Sequence, residues 1–431
     1  MEMICITDSL AVSTKIRINR NQMDVLLTLL LFSIEFNVPV MGFFTMRKLG
    51  LAVLLILYGL YCRSAGLKTD KNTAFLSVFC IGLFFYASWI VEQSGAKDYA
   101  AQGVYSENNM LVLLLYAVIF PMMLMPLFRD TLQFAKCQWH VTLIQSVIVL
   151  AGRLFLDFRM FIFMHFAYDD GRLENGIRQG IRSVGIDISG SAGSVVLFAG
   201  LMCAVYLFFH AKGGKKEQIL IEYFIVMAAL LFMGRLGLYF GLAGLAAVCW
   251  ICMIRKDACF RIIFLLAIFS CAAITVYVFL SEDSGNVQSW FHWIMELTRL
   301  FDKQGTLAAI RGQNIPPLTI ETLFGTGMNY GVTPSGLVLN HDSGYVRMYT
   351  AIGLVGCVYY YSMIYGYYLA GIYKIKDRTG RRIYFCFLAA VVIFELKEPF
   401  LAKTPLTIIL SCMILLGLKE EQRKKPVSER K

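Results

Sequence analysis

A chain of 431 residues that is 58% hydrophobic and 14% aromatic, with a mean hydropathy of +0.63 and only 16% charged residues, lies outside the range of soluble domains. Soluble domains carry about 25% charged residues, so a soluble globular enzyme is excluded. The net charge of +11 would point to nucleic acid in a soluble protein, but most of the 40 Lys and Arg residues sit in short loops between apolar runs. That is the pattern of topology determinants, and no nucleic-acid partner is expected.

The first twenty or so residues carry Lys15, Arg17 and Arg20 without an apolar stretch, so the first helix is expected to act as its own insertion signal in place of a cleaved leader. A bilayer core about 30 Å thick is crossed by roughly 20 apolar residues in helix. On that measure, spans are predicted near 24–45, 49–62, 73–92, 109–128, 141–158 and 191–210. The second half adds 219–234, 237–254, 262–280, 345–370, 382–400 and 404–418. The expected fold class is therefore all-α, a polytopic membrane bundle of about twelve transmembrane helices forming one domain over residues 1–431.

With the N-terminus inside, one face collects Arg63, Lys68, Lys71, Arg129, Lys136, Lys212, Lys215, Lys216, Arg255, Lys256, Arg261 and the charges from Lys374 to Arg382, besides both tails, at 1–22 and 419–431. The positive-inside rule then places both termini in the cytoplasm. The opposite face owns the two long loops, 159–190 and 281–344, and function is expected to face outward. The twelve cysteines fall mainly in apolar runs and none lies in those loops, so no disulfide framework is expected. Cys249 and Cys252 have C-x-x-C spacing but no second pair or nearby His to complete a metal site.

The chemistry-bearing residues gather on the outward side. Leu323-Phe-Gly-Thr-Gly-Met-Asn-Tyr-Gly331 precedes His341-Asp342-Ser343-Gly344-Tyr345-Val346-Arg347. Gly325 and Gly327 allow tight turning or close approach to a ligand, with loop shaping as the equal alternative. Between Lys216 and Arg255 only 38 residues supply two spans, so the turn at Gly234-Arg235-Leu236-Gly237 has little room to leave the membrane. A guanidinium near mid-bilayer costs roughly 2.5–3.5 kcal/mol, so Arg235 faces a cavity or anionic partner, or snorkels to headgroups. Lys397, between Glu395 and Glu398, is either an interfacial anchor or a positive charge for an outward site. His165, His292 and His341 are scattered, so neither a metal nor any other cofactor is expected.

In order, Arg182-Ser-Val-Gly185, Gly234-Arg235-Leu-Gly237, Arg311 upstream of Leu323-Phe-Gly-Thr-Gly327, and His341-Asp-Ser-Gly-Tyr-Val-Arg347 resemble the Wzy-type O-antigen and capsule polymerases. That family is related to the O-antigen ligases within the membrane-embedded glycosyltransferase-C group. The resemblance implies transfer of a growing glycan from undecaprenyl diphosphate to a new lipid-linked repeat, outside the bacterial cytoplasmic (inner) membrane and without metal or nucleotide. It assigns leaving-group stabilisation to Arg182, Arg235, Arg311 and Arg347, with Lys397 as a further donor and Gly325 and Gly327 beside the substrate. His341 is the first choice of base and Asp342 the second. Partners implied are the lipid-linked oligosaccharide, the bilayer, a chain-length regulator and a flippase. The competing readings are a ligase with the same fold, and a transporter or flippase of lipid-linked glycans.

Overall fold

The computed structural model describes residues 19–41, 44–65, 71–96, 106–166, 183–187, 190–210, 215–254 and 315–424. In chain order the helices are α1 (Arg20–Glu35), α2 (Met46–Ala65), α3 (Lys71–Gln93), α4 (Ser106–Leu127), α5 (Thr131–Leu154), α6 (Leu156–Phe166) and α7 (Gly190–His210). There follow α8 (Lys215–Met233), α9 (Arg235–Ile254), α10 (Ile320–Phe324), α11 (Gly344–Lys374), α12 (Arg378–Phe394) and α13 (Leu406–Lys424). Two antiparallel hairpins complete the described chain, β1 (Pro39–Met41) with β2 (Phe44–Thr45) and β3 (Gly331–Val332) with β4 (Val338–Leu339).

By length and composition, four described helices can cross a membrane: Thr73–Gln93, Ser106–Leu127, Thr131–Leu154 and Gly190–His210. The chain is a predominantly helical membrane protein. Of the other expected spans, 237–254 falls on α9, whose described apolar stretch runs from Leu236 to Val248, and 262–280 lies outside the described residues. Burial separates the four. The most apolar 18-residue stretch of α7 is 78% buried and packs against α5, α8, α9, α12 and α13, which explains why its sequence is hydrophobic on every side. On α3 the corresponding figure is 39%, and Phe75, Val78, Phe85 and Trp89 form one exposed stripe at helical spacing. Water-soluble monomers rarely leave so much contiguous apolar surface uncovered, whereas lipid tails cover it at no cost.

Several span ends differ from the hydropathy reading. The run 24–45 is not one helix: α1 stops at Glu35 and the β1–β2 hairpin follows. Pro39 has no N–H to continue the ladder and pushes the preceding residue out of the helical region. The freed carbonyls at the end of α1 are taken by Arg47, whose Nε donates to Ile34 O at 3.0 Å and Nη2 to Glu35 O at 2.8 Å. The run 141–158 is likewise interrupted, because α5 ends at Leu154 and a second helix, α6, starts at Leu156 and runs on to Phe166, into what the sequence suggests is a loop. Inside α4, residues Leu115–Ile119 widen to a π turn just before Pro121, with Phe120 N–H bonding back to Leu115 O. The extra residue moves the ladder past the proline, which cannot donate.

One end of the bundle gathers the C-terminal ends of α1 and α8, the starts of α7, α9 and α11, and the turn after α12. There Ser183 N–H donates to Phe232 O at 2.9 Å and Ser191 Oγ to Glu398 at 2.6 Å. The opposite end is tied by Lys136 to Asp24 at 2.8 Å, by Lys419 to the carbonyls of Met125 and Phe128, and by His210 to Asp377 at 3.1 Å.

Candidate functional site

The site is built around a broken helix. Gly353 in α11 has φ 75° and ψ 168°, a conformation open to glycine alone, and it divides the helix into Gly344–Ile352 and a longer stretch that begins at Leu354. The break deprives the carbonyls of the preceding turn of their helical donors. Thr326 N–H then reaches Thr350 O at 2.8 Å and Gly327 N–H reaches Ala351 O at 3.0 Å, so the loop after α10 runs as a short ladder beside the break. Gly325 (φ 113°) and Gly327 (φ 74°) make that approach sterically feasible. A Cβ at Gly325 would lie 2.7 Å from Ala351 O, and one at Gly327 would lie 2.9 Å from Val91 Cα. Both glycines therefore face protein, packed against α11 and α3.

The first turn of α11 and the residues just ahead of it carry the polar groups. His341 is buried, with only 6% of its surface exposed, and its Nδ1 accepts the Ser343 backbone N–H at 3.0 Å. Burial pulls the imidazole below its usual pKa; Asp342 opposes that shift and Arg347 adds to it. At neutral pH the ring is uncharged, and with Nδ1 occupied as acceptor its proton sits on Nε2. His341 in this geometry offers a donor to a ligand. Asp342 is the exposed carboxylate beside it, 3.4 Å from Arg347 Nη2.

Arg347 is held from several sides. Its Nε donates to His341 O at 2.8 Å, its guanidinium carbon lies 5.6 Å from the centre of the Tyr330 ring, and Glu398 is within electrostatic reach. It fixes the His341–Asp342 corner in place. His341, Arg347, Asn329, Asn340, Pro316 and Thr350 line one cleft. The turn after α12 packs beside these residues: a Cβ at Gly344 would meet Glu395 Oε2 and the Glu398 carbonyl at 2.7 Å, so that turn sits directly on the start of α11. Lys397 is half-buried in the same turn, and Lys403, which the sequence does not single out, pairs with Glu398 at 2.9 Å.

The remaining arginines are placed by backbone. Arg235 opens α9 directly after Gly234, the single residue separating it from α8, and its side chain is outside the described atoms. Gly234 packs against the start of α7, where a Cβ would meet Gly190 O at 2.6 Å, and Gly237 N–H donates to Ser194 Oγ at 3.3 Å. Ser191 of that same turn reaches Glu398, so the Gly234–Gly237 turn and the His341 corner occupy the same end of the bundle. Arg182 and Arg311 lie outside the described residues, although Ser183, next to Arg182, is anchored two residues before Gly234. Among the described residues no three His, Cys, Asp or Glu side chains come together as a metal centre would need.

No family model, curated protein or solved structure matches the chain.

Proposed function

We propose that the protein is a membrane glycosyltransferase of the lipid-linked repeat polymerase type, acting where the His341 corner, the Gly234–Gly237 turn and the α12 turn converge. The observation that carries this reading is an exposed carboxylate, Asp342, held by Arg347 beside an imidazole that presents Nε2–H, at one end of an apolar helical bundle. In the proposed reaction a hydroxyl of the acceptor repeat attacks the anomeric carbon of the donor glycan. The new C–O bond forms as the bond from that carbon to the carrier diphosphate breaks, the hydroxyl proton passes to Asp342, and the electron pair leaves on the diphosphate. Arg235, Arg182, Arg311 and Lys397 would stabilise that growing negative charge, while His341 donates from Nε2. Arg347 acts as the positioning residue. This reading includes the twelve-span arrangement, cytoplasmic termini and an outward-facing site in a bacterial inner membrane, with a flippase and a chain-length regulator as partners.

The test is deletion of the gene in its host, electrophoresis of the surface glycan, and complementation with wild type, Asp342→Asn, Arg235→Ala or Arg311→Ala at matched membrane expression. A polymerase leaves core carrying a single repeat unit in place of a ladder, and Asp342→Asn fails to restore the ladder. Core without repeats while polymer accumulates outside identifies a ligase. Repeats retained inside identify a flippase and end the enzyme assignment.

A further inference from the structure

Deep in the bundle, Glu35 at the end of α1 meets Gln138 on α5. Both are almost fully buried, Glu35 at 1% exposure and Gln138 at 0%. Gln138 Nε2 donates to Glu35 Oε2 at 3.0 Å. The other two oxygens of the pair, Glu35 Oε1 and Gln138 Oε1, are both buried and have no hydrogen-bond partner among the described residues. Two unpartnered acceptors on two side chains already joined by one bond is an arrangement that folded proteins avoid.

Charge balance sharpens the point. The nearby arginine, Arg47, is already matched by Asp187 at 2.9 Å, and its Nε and Nη2 are further committed to the Ile34 and Glu35 carbonyls. Among the described residues, Tyr116 on α4, Cys203 on α7 and Cys412 on α13 are the other titratable groups interacting with Glu35, and none of these carries a positive charge. An ionised Glu35 would therefore be a buried negative charge without a counter-ion, which proteins avoid by taking up a proton.

We propose that Glu35 and Gln138 form a proton-binding site, in which one proton on Glu35 Oε1 donates to Gln138 Oε1 and closes a two-bond carboxyl–amide ring. A single proton satisfies both orphaned oxygens and removes the unmatched charge. A metal cation would need several further oxygens, and the Ile34 and Glu35 carbonyls beside it are already used by Arg47. The ring clasps α1 to α5 beside Arg47, which bonds the Glu35 carbonyl and pairs with Asp187, and Asp187 also accepts the Asn37 N–H at 2.9 Å. Loss of the proton removes one of the two bonds between α1 and α5 beside Arg47, so the site links proton uptake to the Arg47–Asp187 pair that anchors the segment 183–187. The inference is independent of the proposed glycosyltransferase activity.

Glu35→Gln decides it, because the substituted amide places N–H where the proposal places O–H and rebuilds the ring without a titratable proton. In the full-length protein purified in detergent, infrared spectra at pH 7 are expected to contain a protonated-carboxyl C=O band that Glu35→Gln removes. Glu395→Gln serves as the control for the other fully buried carboxyl among the described residues. Glu35→Gln should melt at or above the wild-type temperature at pH 7, and should lack the part of any wild-type decline at alkaline pH that comes from forcing the proton off. Glu35→Leu, which leaves Gln138 unpaired, should melt lower. An unchanged carboxyl band in Glu35→Gln, or a Glu35→Gln protein as destabilised as Glu35→Leu, overturns the proposal.

Discussion

Replacing Gly353 by alanine tests whether the broken helix holds the candidate site together. At φ 75° and ψ 168° an L-residue with a Cβ is strained by about 1–3 kcal/mol before any contact is considered. The added methyl also points at the Leu323 carbonyl and Phe324, with Gly325 N at 2.7 Å, so the loop must retreat. Retreat lengthens the bonds from Thr326 N to Thr350 O and from Gly327 N to Ala351 O, and each buried group left unpaired costs about 1–3 kcal/mol. A total of at least about 3 kcal/mol follows from these terms. The assay is thermal or denaturant unfolding of purified protein in detergent, with two glycines as internal controls. Gly336→Ala shares a positive φ of 85° but meets no atom within 4 Å, so it should show the strain alone. Gly366→Ala, inside α11 with open space around it, should be neutral or stabilising by about 0.5–1 kcal/mol. A Gly353→Ala protein no less stable than Gly336→Ala would refute the account of the break and its ladder.

His341 should titrate below about 6.5 in the folded protein, seen by NMR of labelled imidazole. Asp342→Asn should lower the midpoint further and Arg347→Met should raise it. Because the folded-state pKa is depressed, His341 contributes stability fully above about pH 6.5, and that contribution falls away as pH drops through the folded value. A wild-type midpoint at or above 6.5 contradicts the burial of the ring. On the lipid-facing stripe of α3, Phe85→Lys should reduce membrane insertion of the helix, by an amount approaching 2.5–3.5 kcal/mol at the centre of a span. Gln93→Lys at the end of the same helix should change it little, and equal insertion of both variants would argue against a lipid environment for that face.

The class of protein was legible in the sequence because hydropathy over about 20 residues is a local property. Hydropathy marks 191–210 as one span among twelve; that α7 is the buried centre came from the structure, although its apolar character on all sides is what a helix surrounded by other helices requires. Proline chemistry at Pro39 and Pro121 marks, in principle, where helices stop or widen, although an apolar-run reading carries the first span on to residue 45 and so passes over Pro39. The His341–Arg347 corner was also within reach, since its bonds join residues two to six positions apart. What the tertiary structure decided is everything that depends on distant partners. Gly325 and Gly327 are identical in sequence whether they shape a ligand loop or pack on a helix, and only the break at Gly353 shows that they meet protein. Arg47 and Asp187, 140 positions apart, and Glu35 and Gln138, 103 positions apart, carry no local signature of pairing. Local periodicity reports how each helix divides its faces between lipid and protein, whereas the polar partner inside the bundle is set by which helices pack together.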